Sequence, residues 1–170
     1  MKIRMMVLTA MLAVTCSFAS LAAAQASAGE TMGPIWIEMP ESAGVLQSLQ
    51  VKAPAKGNII VTVTGTVDYE YTSGSQASYC LQLSQTSAYT GGCVPDEGSD
   101  SAVRSFIAPD TPTTLANFGA SEQYSIVRVW PVTAGTTYTF YLNGYEGGFN
   151  TVYLFQPSIT ALFVPGTLAQ

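Results

Sequence analysis

Ile59-Ile60-Val61-Thr62-Val63-Thr64-Gly65-Thr66-Val67-Asp68-Tyr69-Glu70-Tyr71 is the stretch whose pattern decides the fold. Val61, Val63, Val67, Tyr69 and Tyr71 share one side of a period-two register, and Thr62, Thr64, Thr66, Asp68 and Glu70 share the other. Such alternation of β-branched and aromatic side chains with polar ones marks a strand with one face in a core and one in water. Gly65 falls on the apolar side, where a missing side chain implies a bulge, a bend or a close approach of neighbouring structure.

Working outward, Ser73-Gly74-Ser75-Gln76 reads as a turn into a second strand near Ser78 to Ser84, which makes a hairpin with the first. On that strand Tyr79, Leu81 and Leu83 alternate with Cys80, Gln82 and Ser84, so Cys80 faces away from the leucines. Gly91 to Asp100 is loop by composition, and a short strand near Val103 to Ile107 ends at Pro109-Asp110-Thr111-Pro112. Gln123 to Trp130 is the next strand, closed by Pro131, which cannot donate to a ladder. Thr133-Ala134-Gly135-Thr136 leads tightly into Thr137 to Asn143, and Asn143-Gly144 opens another turn. Val152 to Phe155 and Ile159 to Val164 form the last pair, separated by Pro157. Ile35 to Glu38 and Val45 to Val51 are the earliest strands. No long stretch carries a helical period. Eight to ten short strands without helix point to an all-β chain folded as a single antiparallel β-sandwich, jelly-roll-like or immunoglobulin-like.

The chain opens with Lys2 and Arg4, an uncharged apolar run from Met5 to about Val14, and then small residues. This is the build of an export signal over residues 1–24, with Ala22-Ala23-Ala24 and Ala26-Ser27-Ala28 as alternative cleavage sites. The apolar core is short for a bilayer span, and Ala13-Val14-Thr15 lacks the residues that favour lipid attachment at Cys16. Residues 25–33 read as a flexible lead and 34–170 as the sandwich domain. The expected location is secreted, periplasmic or at the cell surface, with no membrane span after cleavage.

Removal of the signal leaves Lys52, Lys56, Arg104 and Arg128 against eleven acidic residues, a formal charge of 4 − 11 = −7. Phosphate backbones are poor partners for such a surface, so no nucleic acid is expected. Cys80 and Cys93 remain as an even pair in an oxidising compartment, which implies one disulfide. Closing a loop of about fourteen residues stabilises a fold by roughly 3 kcal/mol in the chain-entropy model.

Histidine is absent. That removes Ser-His-Asp and Cys-His hydrolysis, imidazole-ligated zinc or copper, and histidine acid-base chemistry. No cofactor is implied. Asp68 and Glu70, two carboxylates on one strand face, keep a carboxylate hydrolase open as an alternative, although a solvated face among threonines is the better account of them. Asp96, Glu97 and Asp100 gather oxygen ligands on a loop and form a weak calcium candidate that does not match the twelve-residue calcium-loop spacing. Tyr141, Tyr145, Phe149 and Tyr153 surround the Asn143 to Asn150 segment and could stack on sugar rings, the alternative being burial or an oligomer contact. Charged residues make up only 10% of the chain, which leans towards a homo-oligomer. The leading expectation is an exported, non-catalytic module for binding or surface structure, with carbohydrate recognition as the alternative.

Val132-Thr133-Ala134-Gly135-Thr136-Thr137-Tyr138 resembles the turn-then-tyrosine corner of immunoglobulin-like and fibronectin type III sandwiches. The resemblance implies a buried Tyr138 whose hydroxyl bonds to backbone just upstream. A Gly-Thr turn into a strand, followed by a closing strand such as Ile159 to Val164, is similar to tumour-necrosis-factor-like jelly rolls. Both likenesses are local.

Overall fold

The computed structural model describes residues 29–71, 77–89, 102–107, 118–148 and 151–166. The expected export signal, Cys93, Phe149 and the acidic segment with Asp96, Glu97 and Asp100 all lie outside the described residues.

Among the described residues, nine strands make two antiparallel sheets and no helix occurs. They are β1 (Gly29–Met32), β2 (Trp36–Glu38), β3 (Gly44–Lys52), β4 (Gly57–Tyr71), β5 (Ala77–Ser84), β6 (Ala102–Ile107), β7 (Phe118–Val132), β8 (Thr137–Gly148) and β9 (Val152–Pro165). One sheet runs β1-β9-β4-β7 with β2 also on β9, and the other runs β3-β8-β5-β6. Of the links after β2, only β5 to β6 joins neighbours within a sheet, and the rest cross between sheets.

The deciding stretch is β4, at the centre of its sheet, with Ile59, Val61, Val63, Val67 and Tyr69 buried as alternation requires. Facing it across the core are Leu49 and Val51 of β3, Tyr79, Leu81 and Leu83 of β5, and Phe140 and Leu142 of β8. Trp130 of β7 spans the two layers, its ring 4.9 Å from that of Phe140.

Several expectations are corrected. β4 and β5 are not a hairpin: β7 and β9 occupy both edges of β4, so the chain must cross to the other sheet. Pro131 does not end its strand, because β7 is an edge strand whose free side needs no donor. Asn143-Gly144 is not a turn either. β8 runs through it, and a Cβ on Gly144 would meet Leu46 Cδ1 at 2.7 Å and Leu81 Cδ2 at 2.9 Å, so glycine is there for close packing. Val152 to Phe155 and Ile159 to Val164 are not a pair but two halves of β9, both bonded to β4. Their kink is a bulge: the register slips between Thr64 and Thr66 while Gln156 takes φ 47°. Gly65 sits at that slip with the Tyr124 ring packed across it. Gly29–Met32, inside the expected loose lead, is a strand along β9.

The expected disulfide is not among the bonds of the described fold: Cys80 is the one cysteine among the described residues, and its expected partner Cys93 lies outside them. Cys80 does face away from the leucines, yet it is fully buried. Segment 85–89 covers that outer face: Tyr89 Oη lies 2.6 Å from Cys80 Sγ, and Asn143 Nδ2 donates to Thr86 O at 3.0 Å. Buried Gln82, Ser84 and Asn143 belong to the same polar layer, which alternation alone would have placed in water.

Candidate functional site

β2, β9, β4 and β7 present their outward side chains in rows, because antiparallel pairing brings register partners side by side. One row is Trp36, Phe155, Thr66 and Gln123, and the next is Glu38, Tyr153, Asp68 and Ser121. Glu70 follows Asp68 on the same face of β4.

Trp36 is 53% exposed, an unusual state for an indole that carries so much apolar surface. Its ring centroid lies 4.7 Å from Phe155 in a tilted contact and 6.1 Å from Tyr153 edge-on at 89°. Trp36, Tyr153 and Glu70 line an open pocket of about 220 Å³. Behind Phe155 the bulge opens a broader depression of about 610 Å³, bordered by Thr64, Thr66, Gln123, Ser125 and Gln156. The platform therefore meets hydroxyl and amide groups on one side and carboxylates on the other.

Carboxylates dominate the electrostatics of this end. Ser121 Oγ donates to Asp68 Oδ1. The Tyr153 phenol is pushed up from its ordinary value by burial first and then by Glu38, Glu70 and Glu146. Glu146 accepts from the Val152 N–H at 2.6 Å, and its carboxyl is raised by burial, against that hydrogen bond, with Glu38 and Glu41 adding repulsion. At the inner edge, Glu122 Oε2 accepts from Tyr69 Oη at 3.0 Å and from Tyr79 Oη at 3.5 Å, a polar latch between the sheets. Burial is the main reason that the Tyr69 hydroxyl is held far above its ordinary range.

The aromatic set expected from sequence is divided. Tyr141 and Tyr145 stand on β8 in the second sheet, where Tyr145 packs edge-on against Tyr89 at 5.2 Å. Tyr153 stands in the first sheet, and Phe149 lies outside the described residues. Of the three described, only Tyr153 belongs to the platform. Asp68 and Glu70 do share a face, as alternation required, and they flank the platform. No group of three metal-binding side chains forms among the described residues.

Trp36, Phe155 and Glu38 were missed by sequence reasoning. The Trp-Ile-Glu alternation of β2 carried the signal, with Ile37 against the core and its neighbours outward. Phe155 shares the parity of Tyr153 ahead of the bulge at Gln156, and only the pairing of β2 with β9 sets it beside Trp36.

The chain matches no family model and no curated protein sequence. Its chemistry has to be argued from these side chains.

Proposed function

We propose that this protein is an exported, non-catalytic binding module that recognises carbohydrate on the outward face of the β2-β9-β4-β7 sheet. The observation that carries this reading is the exposed Trp36 ring, set in one row with Phe155 and beside Tyr153. Pyranose rings present flat C–H faces that stack on aromatic rings, while their hydroxyls need acceptors and donors at the rim. Asp68, Glu70 and Thr66 stand within that rim.

Immobilised polysaccharides and a soluble oligosaccharide panel test the reading. Trp36→Ala should abolish retention while lowering the thermal midpoint by only a few degrees, because the half-exposed ring packs on Phe155 and Tyr153 but fills no core space. Retention that survives in Trp36→Ala and is lost instead in Tyr145→Ala would move the site to the other sheet.

Export and the disulfide belong to the same proposal. The sandwich is read as a jelly roll rather than an immunoglobulin-like domain, since the strand order puts nearly every consecutive pair in opposite sheets. Cys80 faces the segment that leads on, four residues after Tyr89, to Cys93, which suits a bridge over the outer face. Denatured, non-reduced mature protein should then show no reactive thiol. Two reactive thiols per chain would remove the bridge and weaken the case for an oxidising compartment.

A further inference from the structure

We infer that the pocket between Trp36, Tyr153 and Glu70 receives an ammonium group carried on a pyranose ring, which makes a deacetylated amino sugar the preferred ligand class of the platform. The inference rests on the carbohydrate reading above and names its substrate.

The two rings stand nearly perpendicular, at 89° with centroids 6.1 Å apart, so a ligand in the corner touches the π-face of at least one of them. Faces of this kind attract cations through the ring quadrupole. Glu70 lines the same corner with its carboxyl group, and the volume of about 220 Å³ suits one substituted sugar ring rather than a chain of them. Glu38 and Asp68 sit on either side of Tyr153 in register, so three carboxylates border one phenol ring.

Among the described residues with placed side chains, the basic ones are elsewhere. Lys52 ends β3, Lys56 precedes β4, and Arg128 lies over Trp130, 5.8 Å from its ring, in register with Val61. Glu70 is at the other end of β4, about 45 Å from Lys56 at the rise of an extended strand. Among the described residues with placed side chains, these three bases are thus remote from the pocket. A neutral sugar would leave this field unused, whereas a protonated amine beside the ring would gain from it.

Calorimetric titration at pH 6 and low ionic strength tests the inference, with glucosamine hexamer, its fully N-acetylated counterpart and cellohexaose as probes and spermidine as a cation without a ring. The wild-type chain should bind the glucosamine hexamer at least tenfold more tightly than the two uncharged hexamers. Glu70→Gln should bring that affinity down to the uncharged level and leave the other two unchanged, while Glu41→Gln, an equal loss of charge outside the pocket, should change none. Trp36→Ala should lose all three sugars. Equal binding of charged and uncharged hexamers, or no effect of Glu70→Gln, would overturn the amino-sugar inference and leave the platform intact. Absence of binding to every hexamer would overturn the platform itself. Spermidine binding as tightly as the glucosamine hexamer, and insensitive to Trp36→Ala, would reduce the effect to net charge and also overturn the inference. An unchanged thermal midpoint for Glu70→Gln certifies the variant, whose backbone bond from Glu70 N to Thr151 O at 3.1 Å does not involve the carboxylate.

Discussion

Tyr138 concentrates the residue-scale physics of the sandwich corner. Its hydroxyl accepts from the Thr133 N–H at 2.9 Å and lies 3.2 Å from Thr133 Oγ1, so the phenol ties down the turn that delivers the chain from β7 into β8. These bonds hold the phenol below its ordinary value, since they favour the charged form. The ring is half-buried rather than sealed in the core as the corner resemblance implied, because the turn itself is exposed. Tyr138→Phe should therefore cost about 0.5 to 1 kcal/mol, the lower part of the range for one hydrogen bond whose donor can turn to water. Tyr141→Phe removes the same atom from the same strand on the opposite face and should cost less. Urea unfolding of both variants decides it, and an equal or larger loss at Tyr141 would contradict the register that puts Phe140 and Leu142 in the core.

Glycine and proline carry most of the element-scale information, and their meaning depends on what lies beside the strand. Gly144 continues β8 because Leu46 and Leu81 fill the space that a side chain would need, with the Cys80 carbonyl at 3.0 Å behind them. Gly144→Ala should destabilise by about 1 to 3 kcal/mol through overpacking, whereas Gly135→Ala, with open space but φ 77°, should cost about 1 kcal/mol through backbone strain alone. Thermal unfolding of the two variants separates the mechanisms, and a harmless Gly144→Ala would mean that Asn143-Gly144 bends away from the core after all. The same contrast explains what was legible. Alternation in β4, β5 and β8 located the inward faces correctly, since period two is a local property of the chain. Partnering was not legible: Ser73 to Gln76 looks like a hairpin turn whether or not β7 and β9 already occupy the edges of β4. The platform was half legible for the same reason. Asp68, Glu70 and Tyr153 follow from alternation, but only the pairing of β2 with β9 places Trp36 beside them.

Among the described residues with placed side chains, acid and base are separated, with Glu38, Glu41, Asp68, Glu70 and Glu146 towards one end of the sandwich and Lys52, Lys56 and Arg128 towards the other. A one-sided field helps to draw a cationic ligand to the platform, and it sets the acidic end against itself. Glu146 bears that strain most directly: burial raises its carboxyl above the ordinary 4.5, Glu38 and Glu41 raise it further, and only the Val152 N–H opposes them. A carboxyl raised in the folded state binds its proton more tightly there than in the unfolded chain, so folding is favoured below the ordinary value. That contribution is lost as pH rises through the raised value. Glu146→Gln stays neutral at every pH, and its amide oxygen can still accept from Val152. The difference in thermal midpoint, variant minus wild type, should therefore grow more positive from pH 4.5 to pH 7 and flatten once wild-type Glu146 is ionised. Glu41→Gln, measured beside it, should lower the pH at which the difference changes in a double variant's reference, because one of the two repelling carboxylates is gone. A difference that stays level across the range would mean that Glu146 ionises as it does in water, and that the acidic end costs the fold nothing at neutral pH.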